Sequence, residues 1–206
     1  MTDPATDSKR WDERFQDPEY VFGKAPNAFL AGKAHLLRPG ARALVLADGE
    51  GRNGVWLAER GLDVLSVDVS SAAQDKARAL AAERGVHVRF EQADLAAWDM
   101  GRARFDLVVA IFIQFALPPL RDQLLTRMQA ALAPGGLLLL EGYRPEQLGY
   151  RTGGPPVPEY MYTAELLRRV FAELTILELV ERDVELHEGH GHRGMSALID
   201  LVARKP

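Results

Sequence analysis

The sequence predicts an α/β fold with a doubly wound, mostly parallel sheet that ends in an antiparallel hairpin. Three observations carry this. Apolar runs of strand length alternate with segments of helical spacing from Arg42 to Glu141. The first run empties into a glycine-rich turn, Gly49-Glu50-Gly51-Arg52-Asn53-Gly54. The chain closes on two long segments, Leu174 to Leu186 and Met195 to Ala203, joined by the glycine-rich stretch His187 to Gly194. Five parallel strands and a hairpin make seven.

Ala43 to Leu46 is the first strand, and the glycine turn that follows allows both a close backbone approach to a ligand and dihedrals that other residues resist. Val55 to Ala58 starts a helix that Gly61 ends. Asp63 to Val67 is the second strand, with Asp68 at its tip, placed to accept hydrogen bonds from ribose hydroxyls. Asp68 follows Gly49 by 19 positions (68 minus 49), close to the roughly 20 of a nucleotide-binding β-α-β unit. The pattern Gly49-x-Gly51-x-x-Gly54 alone also fits nicotinamide or flavin binding. Its place between strand and helix, with the acid, makes it a nucleotide-site signal.

Upstream, residues 1–8 read as disordered, and Met1 to Lys9 lacks the apolar stretch of a secretory signal. Trp11 to Phe15 reads as a short helix, Asp17 to Lys24 as an aromatic-bearing loop, and Pro26-Asn27 lead into a helix that ends near Arg38, stopped by Pro39-Gly40. Residues 1–38 thus form an amino-terminal cap segment. Trp11, Phe15, Tyr20, Phe22 and Phe29 have two readings: packing on the core, or, for Tyr20 and Phe22, a loop folded over a bound ligand.

Downstream, Ser71-Ala72-Ala73-Gln74 fits a capping box for a helix running to Gly85, and Val86 to Phe90 is the third strand. Asp94, with Leu95, follows it; Asp94 reads either as a surface turn residue or as a carboxylate within reach of an adenine amino group. Phe105 to Ile111 is a strand covered on both faces. Pro118-Pro119 opens the next helix, and Pro134-Gly135-Gly136 turns into the fifth strand, Leu137 to Glu141. Residues 143–161, rich in Pro and Gly, are too long for a connector and read as a substrate-side loop. Thr163 caps a helix to about Phe171.

The chain's 206 residues suit one domain, 1–206. No run approaches the roughly 18 apolar residues of a membrane helix, so cytoplasm is the default. The absence of cysteine excludes disulfides, thiolate metal sites and a cysteine nucleophile. A net charge of −4 argues against a nucleic-acid partner. His187-x-x-His190-x-His192 invites a metal reading but lacks a fourth ligand and helical spacing, so no metal is expected.

Taken together, the Rossmann-like sheet and its motifs resemble the class I S-adenosylmethionine-dependent methyltransferases over nearly the whole chain. Gly49 to Asn53 is similar to their first motif, Asp68 to the ribose-binding acid, Asp94-Leu95 to the adenine-binding pair, Ile111-Phe112 to the end of the fourth strand, and Leu132 to Gly136 to the turn before the fifth. The Gly-Arg-Asn wording, the Trp11 to Phe29 segment and the hairpin loop resemble the tellurite-resistance and thiopurine-type branch. The resemblance implies S-adenosylmethionine as cofactor, contacted by Ala47, Asp48, Gly49, Gly51, Asn53, Asp68, Val69, Asp94, Leu95, Ile111 and Phe112, and methyl transfer to a small-molecule acceptor. One departure stands out: the family's acid and first glycine are replaced by Val45 and Ala47, with Asp48 as a possible substitute. For the acceptor side the candidates are His192 as general base and Arg193 as anion holder, with Tyr143, Arg151, Tyr20 and Phe22 around them. A nicotinamide-dependent oxidoreductase and a non-catalytic cofactor-binding protein are the competing readings. Neither the acceptor nor the oligomeric state is read from the sequence.

Overall fold

A computed structural model describes residues 4–206, with side chains described from Lys9 onward. Seven strands, β1 (Arg42–Leu46), β2 (Asp63–Asp68), β3 (Arg89–Gln92), β4 (Phe105–Ile111), β5 (Leu132–Tyr143), β6 (Thr175–Glu188) and β7 (His192–Arg204), form one sheet in the order β3-β2-β1-β4-β5-β7-β6. The expected α/β class, mostly parallel with an antiparallel β5-β7-β6 end, is the one observed. The chain divides into two compact units, Met1–Asp99 with Glu188–Gly191, and Met100–His187 with His192–Pro206.

In the first unit β1, β2 and β3 run parallel, with Leu46 opposite Val67 and Asp68 opposite Gln92. Ala43 to Leu46 are all buried, which explains the unbroken apolar run. Helix α1 spans Pro4–Phe15, so residues 4–8 are helical where disorder was expected, and residues 1–3 lie outside the described residues. The helix begins on a proline, whose missing N–H costs nothing there, and Trp11 and Phe15 pack with Ala72 and Ala73. Helix α2 is Ala28–Gly32, capped by Asn27 and much shorter than the expected run to Arg38; a 3-10 turn over Ala34–Leu36 follows it.

Helix α3 (Arg52–Glu59) starts three residues before Val55, because Gly51 takes the left-handed conformation at the N-cap. Helix α4 (Ser71–Glu83) is capped by Ser70, whose Oγ accepts from the Ala73 N–H at 3.1 Å. The capping box is not formed. Gln74 is buried and donates instead to the Glu91 carbonyl at 2.6 Å, tying α4 to β3. Strand β3 starts at Arg89 rather than Val86, since the Val86 N–H closes α4 onto Ala81.

In the second unit β4 lies parallel to β5, and β5 antiparallel to β7 with Tyr143 opposite Leu198. The residues expected to turn the chain into the fifth strand, Pro134-Gly135-Gly136, are instead a bulge within β5: Phe105 faces Leu132, then Leu107 faces Leu137. Lys205 explains it. Its backbone brackets Gly135 and Gly136, and its Nζ donates to the Leu132 carbonyl at 2.7 Å and the Gln129 carbonyl at 3.2 Å, closing the end of helix α5 (Leu120–Ala131). The loop 143–161 holds a short α6 (Gln147–Tyr150), whose buried Gln147 accepts from the Ala197 N–H at 2.8 Å and donates to the Gly153 carbonyl at 3.0 Å. Helix α7 (Ala164–Val170) is capped by Thr163 as expected. The hairpin strands are longer than predicted, which leaves Gly189 to Gly191 as the turn and puts His187, His192 and Arg193 on strands or at their ends.

Candidate active site

The glycine turn of the first unit is a run of unusual backbone held from behind. Ala47, Gly49 and Gly51 have φ of 45°, 57° and 83°. The N–H groups of the turn are used within the protein: that of Asp48 donates to the Val67 carbonyl at 3.4 Å and that of Gly51 to the Asp48 carbonyl at 3.1 Å. The Gly49 N–H donates to Asp68 Oδ2 at 2.8 Å and the Gly54 N–H to Asp48 Oδ2 at 3.1 Å, while Ser66 Oγ donates to the same Asp48 oxygen at 2.9 Å. Gly51 cannot carry a side chain: a methyl there would lie 2.6 Å from Ala77 Cβ of α4.

Two buried acids therefore organise the turn. Burial pushes Asp48 up to about 7, against hydrogen bonds from Ser66 and Gly54 that favour its charged form. Asp68 is raised in the same direction, again by burial first, opposed by backbone N–H groups of Ser70, Gly49 and Val69. Asp48 supplies the loop-holding carboxylate that Val45 lacks. Asp68 Oδ1 accepts from the Ser70 N–H at 2.8 Å, and a carboxylate offers about four lone-pair sites, so capacity remains for a diol.

Of the other first-unit candidates, Val69 is half-buried and its carbonyl accepts from Gln92 at 3.1 Å. Asp94 Oδ1 accepts from the Ala96 N–H at 2.8 Å, so it does form a turn, with Leu95 buried beneath. Asn53 is buried, its Oδ1 accepting from the Asn27 N–H at 2.9 Å. The aromatic segment divides between its two readings. Phe15 and Phe29 are buried, the Phe15 ring standing 3.3 Å from where a Gly49 Cβ would be; Tyr20 donates to the Lys76 carbonyl at 3.0 Å, and Phe22 stays half-buried, edge-on to Phe15.

Sequence reasoning missed the polar shell of this turn. Glu50, 3% exposed, accepts from Lys76 Nζ at 2.6 Å and from the Phe22 N–H at 3.3 Å; Arg52, 6% exposed, donates to Glu188 at 2.7 Å. The available signal was compositional: an acid and a base inside a glycine turn between two apolar segments.

In the second unit β4 ends on buried Ile111 and on Phe112, whose φ of 56° is rare for a bulky residue. The structure gathers three rings there. Phe112 lies 4.3 Å from His192 and 4.8 Å from Tyr143, and Tyr143 lies 6.1 Å from His192. Gln114 fastens Tyr143 by its backbone, accepting its N–H at 2.6 Å and donating to its carbonyl at 2.8 Å. Arg151 and Arg193 are exposed and take no part in this ring cluster. His187 and His190 are exposed beside different acids, Glu185 and Asp17, and among the described residues no group of three His, Cys, Asp or Glu could hold a metal ion.

Residues 43–136 match the methyltransferase domain family. A curated relative, the ribosomal protein L11 methyltransferase of Thermus thermophilus, is 36% identical over 131 residues, 61% of this chain and 49% of its own length. The chain thus spans about half the length of that relative. Among solved structures, one from the conversion of a disulfide bond into a thioacetal group during echinomycin biosynthesis aligns with a TM-score of 0.74 at 23% identity, covering 96% of this chain and 91% of its own. TehB from Haemophilus influenzae aligns at 0.73 and 19% identity, covering 97% of this chain and 67% of its own. The fold is the one these solved structures share, and residues 43–136 carry the match to the methyltransferase domain family.

Proposed function

We propose that this protein transfers a methyl group from S-adenosylmethionine to a small-molecule acceptor. The observation that carries the reading is the pairing of the left-handed turn at Ala47, Gly49 and Gly51 with Asp68, fixed to that turn through the Gly49 N–H. When bound, the cofactor supplies a methyl on a sulfonium, open to in-line displacement. The chain's part is placement. Backbone groups of Ala47 to Gly51 hold the amino-acid portion, Asp68 accepts from the ribose hydroxyls, and Asp94 with Leu95 meets the adenine.

In the second unit His192 is the residue assigned to take a proton from the acceptor, with Tyr143 and Phe112 fixing its ring by edge contacts. The net charge of −4 disfavours nucleic acid as acceptor. No described helix is long and apolar enough to cross a membrane.

Calorimetry with S-adenosylmethionine and, separately, NADH tests the reading. Saturable binding of the first alone, weakened by Asp68→Ala, is the expected result. Binding of NADH alone would replace the reading with an oxidoreductase. Cofactor binding without turnover on small-molecule and protein acceptors, ribosomal protein L11 included, would make the chain a non-catalytic binder.

A further inference from the structure

We infer that the hairpin tip, Glu188 to Gly191, is a positioning element for the glycine turn, and that Glu188 is the residue through which it acts. This rests on the cofactor reading above. The tip lies 130 or more residues away in sequence, yet belongs to the first unit.

The attachment is steric and polar at once. The Gly191 N–H donates to the Val21 carbonyl at 2.8 Å, and a methyl on Gly191 would come within 2.5 Å of the Phe22 ring. Glu188 reaches inward with both oxygens. Oε1 accepts from Asn27 Nδ2 and from the Ala28 N–H, each at 3.1 Å, so it serves the open start of α2. Oε2 accepts from the Arg52 guanidinium at 2.7 Å, and Arg52 donates on to the Phe22 carbonyl at 3.3 Å. The two side chains are only 7% and 10% exposed.

Arg52 is the first residue of α3, directly after Gly51. A cation at a helix N-terminus opposes the helix dipole, so its position is not explained by helix stability. Its burial there needs a compensating charge. Glu188 supplies it. The turn is thereby held at Arg52 by a residue from the far end of the chain, as Asp68 holds its first glycine, Gly49, and Asp48 its last, Gly54. Without that charge the guanidinium moves toward water and carries Gly51 and Asn53 with it.

Glu188→Gln keeps an oxygen for Asn27 and Ala28 and removes the charge. Calorimetry with S-adenosylhomocysteine should then show affinity weaker on the order of tenfold, the size expected for a residue acting through its neighbours. The double variant Arg52→Gln/Glu188→Gln, with no charge left uncompensated, should recover part of the loss. Arg52→Lys keeps the charge but cannot reach both partners, and should weaken binding in the same direction. Urea unfolding of each variant separates the two roles: a lowered midpoint with wild-type affinity in the folded protein means a merely structural contact and overturns the inference. Failure of the wild-type protein to bind S-adenosylhomocysteine would instead overturn the cofactor reading beneath it.

Discussion

Replacing Asp48 with asparagine is expected to raise stability at pH 8, less so at pH 5, and to leave it nearly unchanged only below the ordinary carboxylate value of 3.8. Asp48 sits beneath the glycine turn, 7% exposed, and burial lifts its pKa from 3.8 to about 7. Because the folded-state value lies above the unfolded one, the fold prefers the protonated acid. That preference contributes in full below 3.8, shrinks as the pH rises, and is gone once the pH passes about 7. The interval between the two values, at about 1.4 kcal/mol per pH unit, sets a ceiling of about 4 kcal/mol. Local relaxation and water penetration bring the expected figure to roughly 1–3 kcal/mol. Asparagine fits the same space, accepting the Gly54 N–H through its carbonyl while its amide donates to Ser66 Oγ. Asp68, also raised by burial, is present in both proteins and largely cancels in the comparison. The assay is urea unfolding followed by tryptophan fluorescence between about pH 5 and pH 8. The wild-type midpoint should fall from pH 5 to about 7 while the variant's falls less, the gap between the two curves widening up to about pH 7 and holding constant above it. Parallel curves would refute the assignment of the pH dependence to Asp48, and a variant weaker than wild type at pH 8 would show that the turn requires the charge.

Two further outcomes follow from the same geometry. Ala47 has a φ of 45°, and a left-handed non-glycine residue costs roughly 1–2 kcal/mol. Ala47→Gly relieves that and loses roughly 0.5–1 kcal/mol of chain entropy, so a net gain of up to about 1.5 kcal/mol is expected in the same unfolding assay. His192→Ala should lower kcat with the true acceptor by on the order of a hundredfold while leaving the calorimetric affinity for S-adenosylmethionine unchanged; unaltered turnover would remove His192 from the reaction.

The parts of the fold that were readable in the sequence are those decided by neighbours in the chain. β2 and β4 fall within a residue of the expected bounds because an apolar run covered on both faces needs no further information. The cap of α4 was misassigned for an instructive reason. Ser71-x-x-Gln74 satisfies the local rule, but Asp68 fixes the Ser70 N–H, and Asp12 of α1 accepts from Ser70 Oγ at 2.6 Å and from the Ala72 N–H at 3.2 Å. A distant acid thus places the cap one residue early. The bulge in β5 was likewise out of reach, since Lys205 that stabilises it lies about 70 residues onward. In the site, the glycines and Asp68 announced themselves by type and spacing. Glu50, Arg52 and Glu188 did not, because a charged residue looks solvent-exposed until its partner is known.

The same distinction explains how the turn tolerates losing the acid and the first glycine of the family's motif. The motif acid is a local solution: one carboxylate on β1 holds the loop that follows it. Here β1 carries Val45 at that place, buried at 1% exposure, and the holding groups lie elsewhere. Asp48 grips Gly54 from within the turn, Asp68 grips Gly49 from β2, Lys76 of α4 grips Glu50, and Glu188 of the hairpin grips Arg52. Each tether fixes a different residue, so losing one loosens the turn without releasing it. The strain at Ala47 fits this view, since a left-handed alanine persists only where the surroundings over-determine its backbone. A turn held by four tethers can keep a non-glycine residue there, and the geometry the motif normally encodes in four or five consecutive residues is distributed over the first unit.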